Sequence, residues 1–371
     1  MREIIVFSVF ISVMAIVNGY IYWRFFKKIQ HWPQACLVPA VLMFGEIVFA
    51  LDIVLAVLPD STLLYLVNGT FVGISFMLFV VAITYDLTLT VSRKVPFNQE
   101  RRKTIKILFD MTMLIAAIAY LLRGLSQGLK PPRLNTVGVK IKDFPISGFN
   151  LVQLSDVHVG RTIKQDFVRD LVQRVNALQP DLVVITGDLT DLPVTRIQQD
   201  LKPLQDIQAD TYFVLGNHEY FHDPEATLEY LQTLGIQVLN NRHVSLQTRK
   251  GAFNLVGFND VIGQRMERLA PDIDKAYQQL DTTLPTLVLA HQPKMILEMA
   301  DYRCDLMLSG HTHGGQIFPF GLLVLLSQPY LAGLYQHNAV QQIFVSRGTG
   351  YWGPPLRVLA ASEISQIIIH A

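Results

Sequence analysis

Leu63–Tyr85 is a run of 23 residues without a single charged side chain. About 20 such residues in a helix cross the hydrocarbon core of a bilayer. Three more apolar runs accompany it: Ile4–Trp23, Ala35–Leu58 and Ile107–Leu122. The last is shorter and carries Asp110 near its start. A secretory leader is one short run before a small-residue cleavage site, so the succession predicts an all-α membrane module of about four spans over residues 1–125. Tyr20, Tyr22, Trp23 and Trp32 stand where an interfacial aromatic belt would lie.

Loop charge sets the expected orientation. Arg24, Lys27 and Lys28 separate the first two runs, and Arg93, Lys94, Arg101, Arg102, Lys103 and Lys106 separate the last two. The loop 59–61 has no positive residue. Lys and Arg concentrate in cytoplasmic loops. Four spans therefore put both termini, and everything after the membrane module, outside the cytoplasm in a multi-pass membrane protein. Arg2, Arg123, Lys130 and Arg133 oppose this and are outnumbered. If Ile107–Leu122 did not span, the rest of the chain would be cytoplasmic. Glu46 and Asp52 lie inside the second run, six residues apart and so not on one helix face. They are expected to hydrogen-bond neighbouring helices. Unbroken, unrepeated spans give a transport pathway little support.

The remainder of the chain is ordinary in composition. Residues 1–133 hold 13 Lys+Arg and 7 Asp+Glu, and residues 134–371 hold 18 and 23. A formal net charge of +1 argues against a nucleic-acid binder. Two cysteines, Cys36 and Cys304, do not make a disulfide framework, and both are expected to be buried. Gly128, Pro131 and Pro132 mark a linker over 126–136, and a second domain is expected over 137–371.

Within 137–371 short apolar runs alternate with helical segments. Strands are expected at 137–141, 150–154, 181–185 and 211–215, with helices at 165–178, 195–208 and 224–234. Later strands are expected at 253–258, 286–289, 306–308, 342–345 and 364–369. Such alternation predicts βαβ units and an α/β fold.

Asp, His or Asn stands just beyond five of these strands: Ser155-Asp156-Val157-His158, Gly187-Asp188-Leu189-Thr190-Asp191, Gly216-Asn217-His218-Glu219, Ala290-His291 and Gly310-His311-Thr312-His313. The carboxyl ends of strands are where α/β sheets bind ligands. Nitrogen and oxygen donors without a thiolate suit Mn, Fe, Zn or Ni, not a structural zinc site. The donors are too many for one ion. Two ions sharing a carboxylate would use them, and such a pair clamps a phosphoryl group.

These motifs resemble the calcineurin-like metallophosphoesterase superfamily. Ser155–Gly160, Gly310–Gln316 and Val345-Ser346-Arg347-Gly348 are similar to its membrane-associated YaeI/YkuE-type phosphodiesterase branch. The resemblance implies a four-layer αββα sandwich with two packed mixed sheets. It implies that Asp156, His158 and His313 hold one metal, that Asn217, His291 and His311 hold the second, and that Asp188 bridges them. His218 would protonate the leaving oxygen, a metal-bridging hydroxide would attack phosphorus, and Asp191 would hold a loop or a nearby His. The implied activity is hydrolysis of a phosphodiester or phosphomonoester. The alternative is a membrane sensor or scaffold that binds a phosphorylated ligand without turnover. The apolar segment 317–335 suits either a lip for a lipid-linked or envelope phosphate or packing beneath the second sheet. His222, His243, His337 and His370 are expected to be surface or structural.

Overall fold

The computed structural model describes residues 2–27, 36–55, 61–92 and 99–371. Lys28, Trp32, residues 59–60, Arg93 and Lys94 lie outside these. The chain divides into two compact units, one of residues 1–130 with 353–358, the other of 131–352 with 359–371.

The first unit contains helices α1 (Arg2–Ile21), α2 (Leu37–Leu55), α3 (Thr62–Ser92) and α4 (Gln99–Gly128). Phe7–Phe26, Thr62–Val91 and Ile107–Gly128 are long and apolar enough to cross a membrane. The expected second span, of which residues 35 and 56–58 lie outside the described ones, is not among these three candidates. Its helix, α2, has 19 residues, which at 1.5 Å per residue gives about 28 Å, within the range of lengths that cross the hydrocarbon core. Asp110 accepts a hydrogen bond from the Tyr85 hydroxyl of α3, which offsets the cost of a carboxylate in an apolar helix. Glu46 is fully buried and accepts from Asn18 Nδ2 at 2.7 Å. Asn18 Oδ1 in turn accepts from Ser75 Oγ at 3.3 Å, so the polar groups of three helices meet. The segment 353–358 joins this unit through Arg357, whose N–H donates to the Gly124 carbonyl at 3.0 Å.

The boundary between the units after Lys130 falls in the stretch 126–136, which consists of the last turn of α4, a short turn and the first half of a strand. The second unit starts with β1 (Arg133–Lys140) and β2 (Phe149–Leu154), then α5 (Gln165–Ala177), β3 (Leu182–Thr186), α6 (Val194–Leu201), β4 (Thr211–Val214) and α7 (Pro224–Thr233). It continues with β5 (Gln237–Val238), β6 (Arg242–Thr248), β7 (Gly251–Gly257), α8 (Ile262–Met266), α9 (Ile273–Tyr277), β8 (Thr286–Leu289) and β9 (Leu306–Ser309). It ends with α10 (Gly321–Val324), β10 (Gly333–Gln336), β11 (Gln342–Val345) and β12 (Glu363–His370). The helix expected to run to residue 208 stops at Leu201 and continues as a 3-10 turn, Lys202–Asp206. Pro203 has no N–H to donate and ends the α-helical ladder.

Two six-stranded mixed sheets result, ordered β1-β12-β2-β3-β4-β5 and β10-β11-β9-β8-β7-β6. The inner strands β3, β8 and β9 are buried along their whole length and mostly apolar because both faces are covered. In β3, Leu182 and Val184 face the second sheet, while Val183 and Ile185 face α5–α7. In β8, Leu287 and Leu289 face the first sheet, while Val288 faces α9 and the turn Pro293–Glu298. Period-2 side-chain alternation thus builds one core between the sheets and one on each outer face. The architecture is the four-layer αββα sandwich. Cys304 is buried, and burial pushes its thiol up. Cys36 is exposed, contrary to expectation, and stands just before the first residue of α2.

Candidate metal centre

β2, β3, β4, β8 and β9 are the strands whose carboxyl ends carry the motifs, and all eight expected site residues converge beyond them. Asp156, His158 and His313 bring one donor atom each within 4.8 Å of one another. Asp188, His291 and His311 do the same, as do His158, Asp188 and His218. Asn217 Oδ1 lies 3.2 Å from His291 Nε2.

Two separations test whether cations fit these donors. His158 Nε2 and His313 Nε2 are 3.0 Å apart. Two nitrogens each about 2.1 Å from one ion at a right angle would be separated by about 3 Å, so this pair matches a shared cation. Asp188 Oδ2 lies 3.2 Å from His291 Nε2, 3.9 Å from His218 Nε2 and 4.0 Å from His158 Nε2. One carboxylate oxygen therefore faces imidazoles from both clusters.

The far sides of the rings are held. His291 Nδ1 is 2.8 Å from the Thr186 carbonyl, which requires Nδ1–H and leaves Nε2 a lone pair. Asp191 Oδ1 is 2.6 Å from His158 Nδ1 and 2.8 Å from His218 Nδ1, so one carboxylate orients two imidazoles. Backbone geometry contributes as well. Asp156, His158, Asp188, His311 and His313 have φ of 53°, 56°, 49°, 68° and 50°. Non-glycine residues avoid this region, and its use clusters at functional sites. Gly310 is required by close approach, because a Cβ there would stand 1.9 Å from Ser155 Oγ and 2.2 Å from Asp156 Oδ2.

Burial would raise the pKa of Asp188, but the imidazoles of His291 and His218 outweigh it and hold the carboxylate well below its usual range. Burial raises that of Asp156. His218 is lowered by burial yet pushed up to about 9 by Asp188 and Asp191. His311 is pushed down to about 3, by burial first and by the neighbouring His291 second.

Sequence reasoning assigned no role to Glu219. The residue is buried, and its two oxygens accept the backbone N–H groups of Asp188, Leu189, Thr190 and Gly216 at 2.8–3.1 Å. Each of those N–H groups, left unpaired, would cost about 1–3 kcal/mol. Glu219 thus ties the Asp188 loop to the Asn217 loop. Its place after Asn217-His218 was the available signal. Sequence reasoning also passed over Trp352. Its backbone N–H and carbonyl are both held by the Gln316 amide, at 3.2 and 2.9 Å. No local signal marks it. His222, His243, His337 and His370 are in none of the three donor groups found among the described residues. His222 Nε2 lies 3.0 Å from the Asp191 carbonyl.

The two-sheet fold and the donor groups at its strand ends define a metallophosphoesterase, and the calcineurin-like phosphoesterase family matches residues 149–315. The chain belongs to that family. A metallophosphoesterase of Helicobacter pylori (strain 26695) is 40% identical over 304 residues, covering 79% of each chain. A zebrafish (Danio rerio) protein described as a transmembrane protein with a metallophosphoesterase domain is 32% identical over 391 residues, 98% of this chain and 89% of its own. The Bacillus subtilis metallophosphoesterase YkuE is 31% identical over 282 residues, 72% of this chain and 96% of its own.

Proposed function

We propose that this protein is a membrane-anchored phosphoesterase that uses two divalent cations to hydrolyse a phosphodiester or phosphomonoester. The observation that carries the reading is Asp188, whose Oδ2 faces His291, His218 and His158 at once. Asp156, His158 and His313 would hold one cation, Asn217, His291 and His311 the other, and Asp188 both. Mn, Fe, Zn or Ni suits these donors. The cations, when bound, supply charge stabilisation to the phosphoryl oxygens and activate water. His218, fixed through Nδ1 by Asp191, turns Nε2 to the site and gives its proton to the leaving oxygen. Glu219 keeps the two loops in register.

Phe318, Phe320, Leu322, Leu323 and Leu326 are exposed and directly follow the His311–Gln316 motif. They favour an ester that carries an apolar chain, such as a lipid-linked phosphate. Purified full-length protein supplied with Mn²⁺ is expected to hydrolyse bis(p-nitrophenyl) phosphate, to lose the activity on chelation and to recover it with metal. A protein that binds metal and phosphate esters but turns over neither diester nor monoester is a sensor or scaffold instead.

The loop charges favour a catalytic domain outside the cytoplasm, a reading that counts α2 as a fourth span beside the three candidate helices. A reporter that works only outside the cytoplasm, fused after Ala371, should be active, and a cytoplasmic reporter there should be silent. Fusions within 93–106 should give the reverse. A cytoplasmic carboxyl terminus would move the substrate search to cytoplasmic lipid precursors.

A further inference from the structure

Two aromatic side chains flank the imidazole of His218, and neither has a part in holding metal. Phe221 is three residues on, at the end of the 3-10 turn Glu219–Phe221. Its ring centroid lies 5.2 Å from that of His218, at an interplanar angle of 72°. Trp352 comes from a distant part of the chain, and its ring lies 5.6 Å from that of His218, at 76°. Phe221 is 54% exposed and Trp352 49%. Single exposed aromatics are ordinary on protein surfaces. These two differ because both stand against the same functional group and because one is held in place. The amide of Gln316, itself only 9% exposed, accepts the Trp352 N–H and donates to the Trp352 carbonyl. Gln316 lies three residues after His313, so the loop that bears a metal-site histidine also fixes the tryptophan backbone.

We infer that Phe221 and Trp352 form a leaving-group subsite that selects an apolar alcohol. The inference rests on the phosphoesterase reading with His218 as the proton donor. In that reaction the oxygen of water bonds to phosphorus and the P–O bond to the leaving alcohol breaks. The departing oxygen takes the proton of His218 Nε2, and a proton from water ultimately restores it. The leaving oxygen must therefore come within hydrogen-bond reach of that imidazole. The carbon attached to it is then delivered between the two rings. An alkyl chain or a ring removes apolar surface from water there, at about 25 cal/mol per Å² buried. A sugar or a small hydrophilic alcohol would instead lose hydration without new partners. Of the two ester bonds in a mixed diester, the enzyme breaks the one to the apolar alcohol.

Methyl octyl phosphate, used below its micelle concentration, offers both bonds in one molecule. Methoxide and octoxide leave with similar intrinsic ease, so the ratio of octanol to methanol released reports how the substrate is seated. With Mn²⁺-loaded full-length protein the ratio should exceed roughly tenfold, the value of about two buried methylenes. Trp352→Ala and Phe221→Ala should each pull the ratio towards one, and Trp352→Leu, which keeps an apolar wall, should retain most of it. A general loss of rate does not move this ratio, so damage to the fold cannot mimic the effect. A ratio near one in the wild-type protein overturns the subsite, and so does a high ratio that survives both alanine variants. Failure to cleave either bond, or any aryl ester, with metal bound overturns the phosphoesterase reading itself, and the subsite with it.

Discussion

Asp188→Asn is expected to lower kcat for an aryl phosphodiester by roughly 10³-fold, with metal content reduced, while Asp191→Asn should cost roughly 10–100-fold. The difference follows from where each carboxylate stands. Asp188 Oδ2 faces imidazoles of both clusters at 3.2–4.0 Å. Its Oδ1 accepts the His218 backbone N–H at 2.8 Å. Neutralising Asp188 removes a negative charge from between the two proposed cation sites and keeps the shape. Asp191 acts one step further out, on the Nδ1 atoms of His158 and His218. Its loss loosens two rings and leaves every donor atom in place. Elemental analysis of wild-type protein should find up to two transition metals per chain, and Asp188→Asn should hold fewer. Equal losses in the two variants, or full metal occupancy in Asp188→Asn, would count against a shared carboxylate.

His218→Ala is expected to retain metal and lose turnover, by roughly 10²–10⁴-fold for alkyl esters. The loss should shrink sharply for p-nitrophenyl esters, whose leaving group departs without a proton. This variant decides a point that distance alone leaves open, because His218 also has a ring nitrogen within 4.8 Å of donor atoms of His158 and Asp188. A ligand and a proton donor can occupy the same position but fail differently. Removing a ligand empties the site whatever the substrate. Removing an acid exposes the leaving-group pKa. A His218→Ala protein without metal would make His218 a ligand.

The motifs were legible because they are local. A short apolar run, a Gly and an Asp or His specify a strand, a sharp turn and a donor at its end, and five repetitions in one order specify a site. Nine of the twelve strands followed for the same reason, within a few residues at most ends, whereas β5, β6 and β10, which are partly exposed and lack an unbroken apolar run, did not. Three features were not legible. The carboxyl-terminal strand β12 lies between β1 and β2, pairing Arg133–Lys140 in parallel across more than 200 residues. The dual grip of Asp191 on His158 and His218 joins loops after different strands, and Glu219 reaches back to the loop after β3. The segment after His313 turned out to display its Phe and Leu side chains to the outside. By itself the sequence determined the His and Asp donor set, the class of fold and the apolar helices, since each depends on residue type and spacing along the chain. Only the tertiary structure decided which carboxylate orients which imidazole, and which aromatic rings stand beside His218. Those contacts depend on where two sheets place loops remote in sequence, and no periodicity within a segment encodes that.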